Sequence, residues 1–456
     1  MAGIGFEIRR ILQKETLLSI LQAYTYAGII GSGPWVLSVI GVMLIGVLSL
    51  GHVYPSTLIV QFLVSVTWLM AASLILTGLL QLLFTRYVAD RLFENRDRII
   101  LPNLLGVLWV TIVAAGVLGG AALYFFFHET LLYELMMLAN FVLLCGMWMV
   151  VIFLSSMKQY RQILLVFLVG YSLAVVSALA LRPFGLVGLL GGVLIGHGVL
   201  FFSFLFMIIR AYPGRKFVDF DFTDRRKIFI SLAFAGFFFN LAVWVDKFIV
   251  WFTPELSQQI IGPLRASPIY DLPIFLAYLS IIPGMAVFLV RMETDFAEHY
   301  DRFYNAVREG ETLEHIYFFK DQMVYTARQG IYEIFKVQGL TIVILLLWGP
   351  EILDLVGISP LYLRLFYIDI VGVGLQVLLL AILNVAFYLD YRNIAVGLSG
   401  LFLVANAAFT WLTIHLGPAW LGYGFTIAMA LTVVVGLWVL STKLDRLEYE
   451  TFMLQE

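Results

Sequence analysis

Apolar runs of 20 or more residues recur along the whole chain, separated by shorter polar stretches that carry most of its charge. A bilayer core of ~30 Å takes roughly 20 residues of helix per crossing. Long strand-type alternation is absent, and a helix is the other structure that satisfies its own backbone in lipid. The runs predict twelve crossings, at residues 19–50, 57–84, 101–126, 131–155, 162–181, 185–209, 228–252, 272–290, 337–356, 361–389, 394–415 and 419–440.

Composition strengthens this picture. Hydrophobic residues fill 62% of the 456 positions and charged residues only 13%, about half the charge of a soluble domain. Lys and Arg then orient the crossings. If the N-terminus and every even-numbered turn share one side, that side holds 24 of the 28 basic residues. The other side holds Arg182, Arg265 and Arg364, while Lys247 sits inside a predicted span. So uneven a split is hard to obtain from a wrong count, and it puts both termini in the cytoplasm. The expected protein is thus an all-α integral membrane protein with about twelve transmembrane helices in two six-helix lobes. An amphipathic helix at 1–18 precedes an N-lobe at 19–210. A basic cytoplasmic linker at 211–227 leads to a C-lobe at 228–440, and 441–456 form a cytoplasmic tail. No residue-level repeat supports the duplication, which rests on helix count and the central linker.

The motifs of catalysis and energy coupling are missing. There is no P-loop and no nucleophile elbow, and the six histidines show no zinc-ligand spacing. No metal, cofactor or enzymatic activity is expected. Asp219-Phe220-Asp221 resembles the paired carboxylates that hold a divalent ion in glycosyltransferases, but a 17-residue linker cannot form their nucleotide-binding domain. Cys145 lies in an apolar run and reads as a small buried hydrophobe. Phe6 to Leu18 is charged and amphipathic, unlike a secretory signal.

What chemistry remains is polarity inside the membrane, where ionisable groups are costly and face the bundle interior. Crossing seven carries Asn240, Trp244, Lys247 and Trp251 at helical steps of four, three and four, one face suited to a hydroxyl-rich ligand. Asp246 projects about 100° away, toward a neighbouring helix. Lys247 could equally snorkel toward the periplasm. Crossing ten carries Tyr362, Asp369, Gln376 and Asn384 as a continuous polar stripe. Lining a hydrated cavity is the preferred reading, with interhelical hydrogen bonding as the alternative. Gly31-Ser32-Gly33-Pro34 interrupts crossing one, following Tyr24 and Tyr26; the break either exposes backbone to a substrate or is a plain kink. The substrate-path candidates are therefore Tyr24, Tyr26, Ser32, Asn240, Trp244, Lys247, Tyr362, Asp369, Gln376 and Asn384. Asp246 and Asp369 are the ion-coupling candidates. Gly188, Gly192 and Gly196 are spaced for close helix packing.

The stretch 291–336 is dense in charge, and its aromatic residues recur at helical spacing. It reads as a cytoplasmic amphipathic insert that either lies on the membrane or docks a partner through Phe296, Tyr300, Phe303, Tyr304 and Val307.

Several strings carry a family resemblance. They are the opening Met1-Ala2-Gly3-Ile4-Gly5-Phe6-Glu7-Ile8-Arg9-Arg10, the break Gly31-Ser32-Gly33-Pro34-Trp35, and Asp271-Leu272-Pro273-Ile274-Phe275. Ile281-Ile282-Pro283-Gly284-Met285, leading into Arg291-Met292-Glu293-Thr294-Asp295, adds to them. Over its whole length the chain resembles the PelG family, membrane subunits of bacterial Pel exopolysaccharide systems. The resemblance implies the polysaccharide-transporter branch of the multidrug/oligosaccharidyl-lipid/polysaccharide flippase superfamily, with two six-helix lobes around a central cavity. It also implies a hexosamine-rich polysaccharide substrate, a bacterial inner-membrane location, and partners in a cytoplasmic glycosyltransferase and other Pel inner-membrane subunits. Nucleic acid is not among the implied partners. The scarcity of basic residues within the spans suits a neutral or cationic glycan better than a lipid diphosphate. An H+- or Na+-coupled exporter of the multidrug type and a non-transporting scaffold for the synthase are the competing expectations.

Overall fold

The structure, a computed structural model, describes residue 11 and residues 16–154, 160–212, 214, 216–224 and 227–453. Most of the expected amphipathic helix at 1–18 lies outside the described residues, as do several basic residues used to orient the chain.

The apolar runs are helices: α1 (Leu17–Ser49), α2 (Thr57–Phe93), α3 (Ile100–Phe126), α4 (Leu131–Leu154), α5 (Tyr160–Leu181), α6 (Gly185–Ala211) and α7 (Ile230–Trp251). A β-hairpin follows, β1 (Gln258–Ile261) paired antiparallel with β2 (Leu264–Ala266) and turning at Gly262, whose φ is +49°. The hydropathy pattern predicts no strand here. The chain continues as α8 (Pro268–Tyr278), α9 (Ile281–Val290), α10 (Ala297–Glu309), α11 (Leu313–Leu347), α12 (Gly349–Val356), α13 (Leu363–Tyr388), α14 (Arg392–Leu416), α15 (Tyr423–Leu444) and α16 (Leu447–Met453).

Among the described residues, ten helical stretches are long and apolar enough to cross a membrane, or eleven if the broken first helix counts as one span. Twelve were expected, and the shortfall has an identifiable source. The single stretch Gln162–Ala211 contains both the fifth and the sixth expected crossings, as α5 and α6. A 3₁₀ turn, Arg182–Phe184, separates them, and close contacts then pair Gly188 with Leu181, Gly192 with Ala178, and Gly196 with Ala174. One partner number rises while the other falls, so the two helices run antiparallel.

Two boundaries need correction. Crossing eight is two short helices broken at Leu279–Ser280, and it runs on through a π-helical turn, Arg291–Phe296, into α10. The stretch 291–336 is therefore helical and continuous with the crossings on either side. Its second half is the start of α11, a 35-residue helix about 52 Å long that also supplies crossing nine.

The chain forms two compact units. One comprises Met1–Ser32, Val245–Val250 and Pro268–Glu456; the other comprises Gly33–Trp244 and Trp251–Ser267. The boundary in α1 falls at the Gly31-Ser32-Gly33-Pro34 break, where proline removes a helical hydrogen bond. In the second unit α2 to α6 share one apolar core that includes Phe62, Phe84, Leu104, Met147, Leu189 and Phe204. The hairpin is fastened to that unit, Trp68 donating to the Arg265 carbonyl at 2.9 Å and Gln61 to that of Ile260 at 3.4 Å. In the first unit α13 is central: 78% of its most apolar window is buried by protein, against 17% for α11. Polar side chains on α13 consequently meet protein rather than lipid.

Candidate functional site

The first unit holds a buried cluster of ionisable and polar groups drawn from α7, α8, α13 and α14. Asp246 and Lys247 are 0% and 1% exposed. The Lys247 ammonium donates to both Asp246 oxygens, at 3.1 and 3.3 Å. Tyr270 donates to Oδ2 of the same carboxylate at 2.7 Å, and Asn406 to Oδ1 at 3.3 Å. Thr410, one turn beyond Asn406 on α14, donates to its amide oxygen at 3.1 Å. The ammonium also lies 5.5 Å from the ring centres of Tyr278 and Phe425, within cation–π range. Asp246 is thus an anion with three donors, and Lys247 a cation held between a carboxylate and two aromatic faces. Lys247 does not snorkel: a buried counter-ion and aromatic rings make the interior the better place for its charge.

Asp369 stands apart within this cluster. It is 0% exposed, near enough to both Lys247 and Asp246 to feel their charge, and neither of its oxygens has a hydrogen-bond partner. The cluster holds two carboxyl groups and one ammonium. An ionised carboxylate without donors in a dry interior is among the costliest arrangements a protein can make. A proton or a small cation at Asp369 would balance the site.

The rest of the polar stripe on α13 is also turned inward. Gln376 and Asn384 are each 6% exposed, and Asn384 donates to Oε1 of Glu293 at 2.8 Å. Tyr388 donates to Oε2 of the same carboxylate at 3.0 Å. Tyr362 lies in the 3₁₀ turn before α13 and is part-exposed, separate from the buried row.

The expected crossing-seven face does not act as one. Lys247 enters the ion cluster of the first unit, whereas Trp244 and Trp251 belong to the second, with ring centres 6.3 Å apart. Trp251 is fully buried against Trp68 at 4.8 Å, and Asn240 donates to the Gly236 carbonyl in its own helix. Ser32 likewise donates to the Gly28 carbonyl at 2.6 Å. Tyr24 faces the Arg291 guanidinium, and Tyr26 is part-buried on the same helix.

Burial divides the docking candidates. Phe296 and Phe303 are fully buried. Phe296 and Tyr300 pack on Tyr388 at 5.4 and 5.3 Å, and Tyr304 packs on both Tyr300 and Phe303. Val307 is part-buried one turn on. Two of the five docking candidates are thus covered by the chain itself, and Tyr300, Tyr304 and Val307 stay part-exposed.

Asp219 and Asp221 are occupied as ion-pair partners. Asp219 accepts from Lys216 at 3.1 Å; Asp221 accepts from Lys227 and, at 3.0 Å, from Tyr87. Among the described residues no three of His, Cys, Asp and Glu are placed to hold a metal ion.

Tyr270, Asn406, Thr410, Glu293 and Tyr388 were missed by sequence reasoning. Asn406 could have been found as a lone amide in an apolar run. Glu293 follows such a run by three residues, and so reads as a membrane-border charge.

The model of the PelG exopolysaccharide exporter (EPS-E) family matches residues 1–452. No curated protein matches the chain. Among solved structures, the chain is similar to a multidrug resistance MATE family transporter of the MOP superfamily in an outward-facing conformation. Identity is 14%, coverage 93% of this chain and 94% of that one, and the TM-score 0.64. A MOP superfamily transporter from Pyrococcus furiosus is 13% identical over 93% and 96% of the two chains, with a TM-score of 0.60. MATE in its straight conformation is 12% identical over 93% and 96%, with a TM-score of 0.64. At such identities the likeness shows the fold alone, that of a MATE-like transporter.

Proposed function

The chain belongs to the PelG family of exopolysaccharide exporters, and from that premise we propose that it translocates a Pel-type, hexosamine-rich glycan across the bacterial inner membrane. Polymer made by a cytoplasmic glycosyltransferase would pass through it to the periplasm during biofilm matrix production, with other Pel inner-membrane subunits as partners. The observation that carries this reading is the extent of the family match, residues 1–452, on a transporter fold. A fragmentary match would have left the transporter core unassigned.

Twelve crossings in two six-helix lobes accompany the reading. The antiparallel pair α5 and α6 supports counting Gln162–Ala211 as two crossings. With the broken first helix taken as one span, the total is twelve. An even number puts both termini on one side, and the excess of Lys and Arg there makes that side the cytoplasm.

Sealed inside-out vesicles carrying the protein and its glycosyltransferase test the function. Polymer protected in the lumen is expected to fall at least tenfold when this protein is omitted. Equal protection would reduce it to a scaffold.

A second reading, an H+- or Na+-coupled exporter of the multidrug type, is favoured by one observation: Asp369 is buried beside Lys247 with no hydrogen bond to either oxygen. Asp369→Asn is then expected to abolish gradient-driven efflux of a cationic dye from vesicles while polymer export continues. Undiminished efflux would remove this reading.

A further inference from the structure

Beyond Asp246 and Asp369, the first unit buries a third carboxyl group, Glu293, and a row of polar side chains joins the level of Asp369 to that of Glu293. Glu293 sits in the π-helical turn Arg291–Phe296 and is 6% exposed. π turns interrupt the regular ladder and occur often at functional sites; here Thr294 reaches back five residues to the Leu289 carbonyl at 3.3 Å. Asn384 and Tyr388 on α13 each give Glu293 one hydrogen bond.

The same helix carries Gln376 and Asp369 toward its other end. Fifteen residues separate Asp369 from Asn384, about 22 Å of helix. Gln376 lies about midway. Gln338 of α11 lies at this intermediate level, its side chain wedged against Gly374 of α13 and Gly284 of α9, its amide donating to the Ser280 carbonyl at 3.1 Å. All four residues are more than nine-tenths buried. Each presents at least one oxygen that no donor reaches: both of Asp369, Oε1 of Gln376, Oε1 of Gln338 and Oδ1 of Asn384.

Buried acceptors without partners are rare in proteins and mark places where water or a mobile proton is accommodated. A structural role alone would satisfy the oxygens of these amides as well as their donors, as Thr410 does for the Asn406 oxygen nearby. We propose that this row is a proton route, with Glu293 as the second carboxyl station, exchanging protons with Asp369 through water held by Gln376, Gln338 and Asn384. It rests on the reading that Asp369 is a coupling carboxyl, and adds where its proton enters and leaves.

The charged surroundings differ at the two ends. Asp369 faces Asp246 and Lys247 from α7, and Tyr270 and Tyr278 from α8. Glu293 faces Tyr388 from α13, which in turn feels Tyr300 and Asp301 from α10. Arg291, two residues earlier, is engaged by Asp295 and by Glu333 of α11, so it does not neutralise Glu293 by direct pairing. Among the described residues neither station has a salt bridge of its own to break before it accepts or releases a proton.

The test is infrared hydrogen–deuterium exchange on the full chain in lipid. A protonated-carboxyl band lost in Asp369→Asn identifies that group, and its downshift after transfer to D2O is followed in time. Glu293→Gln is near-isosteric and can still accept from Asn384; Gln376→Leu interrupts the row from a second position. Both are expected to slow the Asp369 downshift at least tenfold, with thermal midpoint and amide exchange elsewhere unchanged. An Asp369 band that exchanges as fast in both variants as in the parent overturns the route and leaves the coupling carboxyl standing. If Asp369→Asn removes no band at all, Asp369 carries no proton, and the coupling reading and the route fall together.

Discussion

Lys247→Ala should be among the most destabilising single substitutions in this protein. Its ammonium and the Asp246 carboxylate are buried together at 3.1 Å, with 1% and 0% exposure. Removing one member of such a pair leaves the other charged without its partner, at a cost of about 3–5 kcal/mol. Asp246 would keep Tyr270 and Asn406 as donors, which places the loss near the lower end. Asp246→Asn should cost more, because the buried ammonium would lose the carboxylate that pairs with it at 3.1 Å, and Asp369 forms no bond to it. The pair itself is weak support for stability, since two apolar side chains can fill the same space without desolvating charge. Asp246→Asn combined with Lys247→Met, which keeps most of the lysine stem's packing, should therefore be better tolerated than either charge left alone. Thermal unfolding followed through the ten tryptophans, arranged as a double-mutant cycle, measures the coupling. Effects that add to within about 0.5 kcal/mol would mean that the two groups do not interact.

That pair also shows how far a sequence carries a site. Neighbours on a helix point about 100° apart, which is why Asp246 and Lys247 read as serving different faces. The lysine has a four-carbon stem and can swing its charge back onto the adjacent carboxylate. Helical periodicity describes where Cβ atoms point and says nothing of where a long side chain ends. Asp369 was legible for the opposite reason: a short carboxylic side chain deep in an apolar run has little freedom and must face protein.

The aromatic stripe of α10 was legible as amphipathic, yet its use was not. Phe296, Tyr300 and Phe303 recur at the spacing expected of one face, and a face is what they form. Which surface covers it depends on Tyr388, ninety residues along the chain, whose ring takes both Phe296 and Tyr300. Periodicity detects an apolar stripe and cannot distinguish an unfilled groove from an occupied one. The hairpin at 258–266 escaped notice because a four-residue and a three-residue strand carry almost no period. Their register is set by the two-residue turn Gly262-Pro263 between Ile261 and Leu264, and Trp68 and Gln61 fasten them to their unit. Helix number, by contrast, follows from local hydrophobicity, and the antiparallel turn at Arg182–Phe184 lies where a single Arg-Pro breaks the longest run.

Gly192→Ala should damage the protein, and Gly191→Ala, one position away, should not. A Cβ on Gly192 would lie 2.2 Å from the backbone nitrogen and Cα of Ala178, and one on Gly196 would lie 2.3 Å from the Ala178-side neighbour Ala174. Those are backbone or near-backbone atoms, which cannot rotate aside, so α5 and α6 would have to separate. In lipid no hydrophobic force holds two helices together, and close van der Waals approach at small residues supplies much of the attraction. Separation therefore weakens the contact along several turns, and the cost belongs at or above the upper end of the ~1–3 kcal/mol usual for overpacking. Gly191 is the internal comparison. Its Cβ would find nothing nearer than Leu181 Cδ1 at 3.7 Å, an ordinary contact, while the helix gains up to about 1 kcal/mol of propensity from alanine. The two neighbouring substitutions should thus shift the unfolding midpoint in opposite directions, measured on purified protein in detergent. Equal shifts would mean that α5 and α6 do not pack as an antiparallel pair, and the argument for counting them as two crossings would go with the contact.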